Sequence, residues 1–148
     1  MITLKPVTRY NFENVIELEV ADDQKGFLVS NAACLAGAYV EVIAEDGEEV
    51  VTLAVCDGDV VVGFIMAIYG EGDCYLDTLM IDKRFQSRGF GRAAMEIFVQ
   101  HVKVRNDATH IHLRYSQGNQ AARIFFANLG FAETGQLFRN EVVAQLVF

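Results

Sequence analysis

The sequence lacks several features that would assign it to a special class of protein. No apolar run approaches the ~20 residues needed to span a bilayer, and the N-terminus has no charged-then-apolar leader. Linkers, internal repeats and low-complexity segments are also missing. Because 52% of the 148 residues are hydrophobic and 22% are charged, disorder is excluded as well. We therefore expect one soluble, cytoplasmic domain over residues 1–148, with no membrane partner.

Cysteine and histidine are scarce and poorly spaced for metal binding. The three cysteines, Cys34, Cys56 and Cys74, lie far apart, and no C-x-x-C pair occurs. His110-x-His112 would set two imidazoles on one strand face, but neither stands at ligand spacing from a cysteine. We interpret the histidines as ordinary strand residues and the cysteines as buried, reduced thiols, and we predict no metal.

Positive charge is nearly absent from the first half of the chain. Residues 1–82 carry 3 Lys/Arg and 16 Asp/Glu (net −13), whereas residues 83–148 carry 9 Lys/Arg and 4 Asp/Glu (net +5). This division favours an anionic ligand held by the second half and a cationic ligand held by the first. A solvated acidic surface is the alternative explanation. The basic residues are too few and too local for nucleic-acid binding, so we expect no nucleic-acid partner.

Hydrophobic periodicity and turn residues predict the element order β-α-α-β-β-β-α-β-α-β-β. Asp57-Gly58-Asp59 between two β-rich runs indicates a hairpin, and a charged turn is expected at 45–49. The order favours an α/β (α+β) fold with a mixed central sheet of about seven strands flanked by four helices. The helices are predicted at about residues 10–20, 32–43, 89–105 and 117–129.

The most informative segment is Gln86-Ser87-Arg88-Gly89-Phe90-Gly91-Arg92, which follows a predicted strand at 74–81 and opens an amphipathic helix. Glycines beside a helix start leave backbone N–H groups bare and let an anion approach closely. The helix dipole and four nearby Lys/Arg side chains add positive potential. We interpret the segment as a pyrophosphate cradle.

Two other phosphate-binding motifs fit poorly. Gly89-x-Gly91 followed by Ala94 matches the opening of a dinucleotide-binding fingerprint, but the next strand ends Arg114-Tyr115-Ser116 without the required acid. A P-loop needs Gly-Lys-Ser/Thr, which does not occur. Glycines that serve helix packing alone are a further alternative.

A second motif, Asn119-x-x-Ala122 with Leu129-Gly130-Phe131, follows after one more strand. Together with the glycine segment and the element order, it resembles the GNAT superfamily of N-acetyltransferases over essentially the whole chain. The resemblance implies a GNAT-like fold, acetyl-CoA as cofactor, and an acyl slot where neighbouring strands splay apart. The cofactor-binding residues it implies are Leu79, Met80, Ile81, Gln86, Ser87, Arg88, Gly89, Phe90, Gly91, Arg92, Asn119, Arg123 and Phe126.

The first 40 residues resemble the bacterial spermine/spermidine acetyltransferases. The resemblance rests on Leu4-Lys5-Pro6-Val7-Thr8, on the segment 20–31 and on Leu35-Ala36-x-Ala38-Tyr39. It implies a polyamine acceptor, which agrees with the acidic first half. The candidate substrate-binding carboxylates are Glu17, Asp22, Asp23 and Glu41.

Acetyl transfer to an alkylammonium needs proton transfers, because the amine must lose a proton and the leaving thiolate must gain one. On the strand 74–81, period-two geometry places Tyr75, Asp77, Leu79 and Ile81 on one face. We take Asp77 as the first candidate for the catalytic base and Tyr75 as the second. The N–H groups of Met80 or Ile81 would polarise the thioester carbonyl. A strand carboxylate without catalytic duty is the alternative for Asp77.

The chain departs from the family pattern at Phe126, where the superfamily commonly has a tyrosine that serves as acid to the sulfur. A phenyl ring donates no proton, and helical spacing with Phe125 and Leu129 favours a core position. Because a CoA thiol has a pKa of ~8–9, its thiolate can depart without being protonated by a dedicated acid. The alternatives are that Tyr115 or a water substitutes, or that the domain binds acyl-CoA without efficient catalysis.

These patterns predict an acetyl-CoA-dependent N-acetyltransferase that acts by direct transfer on a primary amine of spermine, spermidine or a related diamine. An acceptor lysine or N-terminus in a protein, or a non-catalytic acyl-CoA-binding module, are the competing hypotheses. We also expect a homodimer, because the apolar C-terminal strand 142–148 would otherwise be an exposed edge.

Overall fold

A computed structural model describes residues 1–43 and 48–148, and it confirms the predicted order of elements. Most of the predicted charged turn at 45–49 lies outside the described residues. In the described part, no helix is long and apolar enough to cross a membrane. The elements are β1 (Ile2–Pro6), α1 (Phe12–Glu17), a 3-10 helix (Asp22–Phe27), α2 (Asn31–Ile43), β2 (Glu49–Asp57), β3 (Val60–Tyr69), β4 (Gly72–Ile81), α3 (Phe90–Arg105), β5 (Ala108–Ser116), α4 (Gln120–Asn128), β6 (Ala132–Phe138) and β7 (Glu141–Val147).

The strands form one seven-stranded sheet in the order β1-β2-β3-β4-β5-β7-β6. β4 and β5 run parallel, whereas the other neighbouring strands of the described sheet run antiparallel. A parallel pair needs a crossover connection, and α3 supplies it between β4 and β5. This mixed sheet with flanking helices is the predicted α+β architecture.

The C-terminal strand lies inside the sheet rather than at its edge. β7 sits between β5 and β6, with Tyr115 of β5 and Leu137 of β6 both in register with Val142. Its main-chain groups therefore already have partners, and the expectation of an exposed edge at 142–148 is wrong. The homodimer that we predicted from that edge loses its physical basis.

Hydrophobic side chains cover both faces of the sheet. On one face, α3 packs a row of fully buried residues against the strands, as expected of the amphipathic helix predicted there. On the other face, α1 and α2 cover Phe64 and Met80 with Val15 and Cys34. The buried residues of α3 are Ala94, Met95, Phe98 and Val102.

The first helix is shorter than predicted, because tertiary contacts divert the chain. α1 ends at Glu17, and Leu18 adopts extended backbone (φ −67°, ψ 139°). The next residue, Glu19, donates its N–H to Asp82 Oδ2 (2.9 Å) and accepts from the Lys83 N–H (2.8 Å). These bonds fasten the segment after α1 to the end of β4, so the helix cannot continue to residue 20.

Val102 and Val104 offer a matched test of the packing of α3. Val102 is fully buried, whereas Val104 is 82% exposed on the same helix. Val102→Ala should lower the free energy of unfolding by about 2 kcal/mol through lost burial and a cavity. Val104→Ala should change it by less than about 0.5 kcal/mol. Urea denaturation of both variants measures the difference, and equal effects would contradict the packing described.

Candidate active site

β4 and β5 separate halfway along their length. Their pairing ends where Tyr75 lies opposite His112, and residues 76–81 of β4 have no partner in β5. A cleft of about 930 Å³ opens there, and Leu79, Met80 and Ile81 line it. The unpaired side of β4 offers main-chain donors and acceptors to an extended ligand. The cleft thus lies where the predicted acyl slot was expected.

A β-bulge interrupts β4 at Asp77. Leu76 lies opposite Ala67 of β3 and Thr78 lies opposite Met66, so Asp77 has no partner on β3. Bulges bend a strand and re-aim side chains, and they are frequent beside active sites. The Asp77 side chain is exposed at the cleft, and its Oδ2 accepts a hydrogen bond from the Thr78 hydroxyl at 2.9 Å.

The bulge overturns the common strand face predicted for Tyr75, Asp77, Leu79 and Ile81. Leu79 and Ile81 pack against the hydrophobic cluster on the α3 side of the sheet. Tyr75 lies on the other side, where its ring stacks on that of His112 with 5.0 Å between centroids. One inserted residue inverts the alternation of a strand, which is why regular period-two geometry misplaced these side chains. Tyr75 and Asp77 nevertheless both line the cleft.

The Tyr75 hydroxyl is held by Arg114, a residue that the sequence analysis did not select. Arg114 donates to the Tyr75 oxygen from Nε (3.0 Å) and from Nη2 (2.7 Å). Burial raises the pKa of Tyr75, and the nearby carboxylates of Asp77 and Glu141 raise it further, while the Arg114 guanidinium opposes them. The hydroxyl therefore stays protonated at neutral pH, so its geometry suits a proton donor better than the base we predicted.

The second tyrosine, Tyr115, already has a partner for its proton. Its hydroxyl donates to Glu133 Oε1 at 2.9 Å, and burial raises its pKa. Its ring stacks on Phe126 with 6.3 Å between centroids. Phe126 also meets Phe125 and Phe131 edge-on, so this position of α4 forms an aromatic cluster at the cleft.

The loop after β4 is anchored by a buried carboxylate. Asp82, 2% exposed, accepts hydrogen bonds from the Arg84 N–H (2.9 Å), from Arg84 Nε (2.8 Å) and from the Glu19 N–H (2.9 Å). Burial acts to raise the pKa of Asp82, but the bonds from Arg84 and Glu19 outweigh burial and hold the pKa below its ordinary value. Gln86 further fixes this loop, because its Nε2 donates hydrogen bonds to the Ile81 carbonyl and to Gln24 Oε1, each at 2.8 Å.

The N-terminus of α3 is open to an anion. Its N-cap is Gly89, which adopts a left-handed backbone (φ 82°) and supplies no capping side chain. The Ala93 N–H, which donates to the Gly89 carbonyl at 3.1 Å, makes the first bond of the helix ladder. The N–H groups before it are left for a ligand, and the helix dipole favours negative charge there. Arg92 lines the cleft at this end, although its Nε also pairs with Glu96 Oε1 at 3.0 Å. The predicted cofactor residue Arg88 does not line the cleft, and its Nη2 donates to the Arg84 carbonyl at 3.3 Å. The bare N–H groups and Arg92 fit a pyrophosphate.

Asn119 and Arg123 differ in their relation to the cleft. Asn119 lines it and caps α4, because its Oδ1 accepts from the Ala122 N–H at 3.1 Å. Arg123 does not line it, and its Nε instead forms an ion pair with Glu133 Oε1 at 2.8 Å. The predicted cofactor contact of Arg123 therefore has no support in this geometry.

Only one of the four predicted substrate carboxylates lines the cleft. That residue is Asp23, whereas Asp22 is 92% exposed in its side chain and pairs with Lys25 at 3.2 Å. Glu17 and Glu41 are exposed elsewhere. Glu141, which was not predicted from the sequence, also lines the cleft because β7 pairs with β5. No local signal pointed to Glu141, since that pairing is a long-range property.

The bare N-terminus of α3, the open edge of β4 and the cleft beside them suit a ligand with a pyrophosphate and an extended arm, as a CoA-dependent acyltransferase requires. Residues 12–131 match the family described as "Acetyltransferase (GNAT) family". The chain therefore belongs to the GNAT family of acetyltransferases, and its activity class is acetyl-CoA-dependent N-acetyl transfer. Acetyl-CoA is accordingly its cofactor.

Similar proteins share this fold over nearly their whole length. The spermine/spermidine N(1)-acetyltransferase of Bacillus subtilis is 29% identical, with 96% of this chain and 95% of the relative covered. The PaiA N-acetyltransferase of Thermoplasma acidophilum, solved with coenzyme A, superposes with a TM-score of 0.77 at 12% identity and covers 100% of this chain and 99% of its own. The spermidine N-acetyltransferase of Vibrio cholerae, solved with CoA and spermine, gives 0.76 at 16% identity, with 99% and 95% covered.

Gly89→Ala tests the cradle. An added Cβ would meet nothing within 4 Å, so the cost comes from the left-handed backbone alone, about 1–2 kcal/mol. We expect CoA to bind about tenfold more weakly, because the N-cap relaxes away from the geometry that opens the helix end. Isothermal titration calorimetry with CoA measures this. Gly37→Ala on α2, equally unobstructed and without positive φ, is the control, and unchanged affinity in G89A would overturn the assignment.

Proposed function

We propose that the protein transfers the acetyl group of acetyl-CoA to a primary amine of spermine, spermidine or a related diamine. The observation that carries the proposal is the set of carboxylates beside the acyl slot, Asp23, Asp77 and Glu141. The same cleft is lined by Gly89 and Arg92 at the N-terminus of α3. A polyamine suits the negative potential of these carboxylates, because one of its ammonium groups can pair with a carboxylate while another of its amines reacts.

The relative from Bacillus subtilis supports the same acceptor, since its name specifies spermine and spermidine. Its similarity extends through the acidic first half of this chain, where Asp23 lies. Asp77 and Glu141 both raise the pKa of Tyr75, so the charges of these two carboxylates act on a hydroxyl at the slot. Both carboxylates line the cleft, where an acceptor amine could pair with them.

Bound acetyl-CoA supplies the acetyl group as a thioester, whose thiol is the leaving group. Asp77 is the base in this scheme, because the bulge exposes its carboxylate at the cleft while the Thr78 hydroxyl holds one oxygen. Asp77 takes a proton from the ammonium, directly or through water, and the neutral nitrogen then attacks the carbonyl carbon. One main-chain N–H at the open side of β4, that of Met80 or Ile81, would stabilise the charge that develops on the carbonyl oxygen.

Tyr75 is the proton donor in the same scheme. Arg114 occupies lone pairs of the Tyr75 oxygen with two N–H groups, which leaves the hydroxyl proton free to point elsewhere. That proton passes to the departing sulfur as the carbon–sulfur bond breaks, and the Arg114 guanidinium stabilises the phenolate that remains. This assignment fills the role that Phe126 leaves open.

Acetyl transfer to a panel of amines and peptides tests the acceptor. We expect turnover with spermine, spermidine and diamines, and none with lysine-containing or N-terminal peptides. Asp23→Asn should raise the KM for spermidine about two- to fivefold, as an exposed charge contributes up to about 1 kcal/mol. Asp22→Asn, one residue away but paired with Lys25 outside the cleft, should leave the KM unchanged. Absence of turnover with every polyamine at millimolar concentration would sink the proposal.

Asp77→Asn and Tyr75→Phe should differ in their pH dependence. Asp77→Asn should lower kcat about 10²–10⁴-fold at pH 7, and the deficit should shrink as the pH approaches the pKa of the free amine, about 10. Tyr75→Phe should lower kcat at both neutral and alkaline pH, because the departing thiolate lacks its proton donor at either pH. Steady-state assays between neutral and alkaline pH distinguish the two. A Tyr75→Phe deficit that alkali removes would reassign Tyr75 as the base.

A further inference from the structure

A cluster of two histidines and one aspartate lies on the sheet face behind Tyr75. Asp73 of β4 and His110 and His112 of β5 each offer one ligand atom, and these atoms lie within 4.8 Å of one another. All three residues are half-buried. The scheme for acetyl transfer uses none of them.

The distances suit a divalent transition metal after small side-chain rotations. Tetrahedral bonds of about 2.0–2.2 Å place ligand atoms about 3.4 Å apart. His112 Nδ1 and Asp73 Oδ2 are already 3.3 Å apart. The ligand atom of His110 lies at most 4.8 Å from the other two, and rotation of its half-buried side chain must close the remaining gap.

Two further features point to a ligand. His112 Nδ1 is buried and faces Asp73 Oδ2 at 3.3 Å without the geometry of a hydrogen bond, although buried polar atoms are normally paired. His110 Nδ1 lies 3.0 Å from the Thr109 hydroxyl, which leaves Nε2 as the atom available to a metal. A histidine ligand typically has its second nitrogen held in this way.

The sheet register builds the cluster. An irregularity between β4 and β5 pairs Gly72 with Ala108 but Asp73 with His110, which skips Thr109. Regular pairing would have placed Asp73 beside Thr109 instead. His110 and His112 were predicted to be ordinary strand residues, because no cysteine stands at ligand spacing from them in the sequence. Asp73 comes near them only through the parallel pairing of β4 with β5.

We propose that Asp73, His110 and His112 form a binding site for Zn²⁺ or a related divalent transition metal. Nitrogen and carboxylate ligands are those that Zn²⁺ takes, and the fourth position is left to water. Because the Tyr75 ring stacks on His112, the bound metal also stiffens the wall of the acyl slot. The proposal is independent of the acceptor amine.

Zn²⁺ titration calorimetry and Co²⁺ visible absorption on metal-free protein test the site. We expect one equivalent to bind wild type, with the Co²⁺ spectrum of nitrogen and oxygen ligands rather than thiolate. Asp73→Asn, His110→Ala and His112→Gln should each weaken Zn²⁺ binding at least about tenfold. His101→Ala is the control, because it removes the third histidine of the chain, which lies outside the cluster. This variant should bind Zn²⁺ as tightly as wild type does.

Circular dichroism and CoA binding verify that each variant is folded, so that loss of Zn²⁺ binding can be distinguished from unfolding. Unchanged Zn²⁺ affinity in His112→Gln and His110→Ala would overturn the proposal, as would absence of binding to wild type at millimolar Zn²⁺. A thiolate spectrum with Co²⁺ would do the same, because it would assign the metal to Cys34, Cys56 or Cys74.

Discussion

The separation of β4 from β5 beyond Tyr75 is the constraint on which the rest of the site depends. Where two parallel strands part, the inner edge of each keeps main-chain groups that need a partner. An extended ligand arm can supply those bonds as a missing strand would. The same divergence directs the end of β4 to the Asp82 anchor and the bare N-terminus of α3, so the slot and the cradle form one continuous surface.

The positive and negative groups that line the slot and the cradle are brought together by the fold, and they do not simply follow the division of charge along the chain. The positive end is local in the sequence, since Gly89 and Arg92 lie in the segment that follows β4. The negative side is assembled from distant segments: Asp23 from the 3-10 helix, Asp77 from the bulge and Glu141 from β7. Glu141 belongs to the basic half of the sequence yet lies with the acids. The net charges of the two halves predicted two fields, but of the four carboxylates selected from the sequence Asp23 alone lines the cleft.

Local patterns were a good guide wherever a feature depends on residues a few positions apart. The hairpin at Asp57-Gly58-Asp59, the buried stripe of α3 and the glycine segment all arise from turn chemistry or helical period, and each element appears where it was predicted. The GNAT resemblance added the cofactor and the slot. Prediction was poorer for α1, because hydrogen bonds from Glu19 to Asp82 and Lys83 override helical propensity at its end.

The sequence by itself thus determined the order of elements, the cradle and the class of cofactor, since these follow from short-range geometry and recognisable motifs. The tertiary structure alone decided the register of the strands. One unpaired residue at Asp77 moves Tyr75 to the face opposite Leu79, and one skipped residue at Thr109 brings Asp73 to His110. The insertion of β7 brings Glu141 to the cleft. Strand alternation has a period of two, so a single inserted residue reverses every side chain beyond it, and only long-range pairing shows where that residue lies.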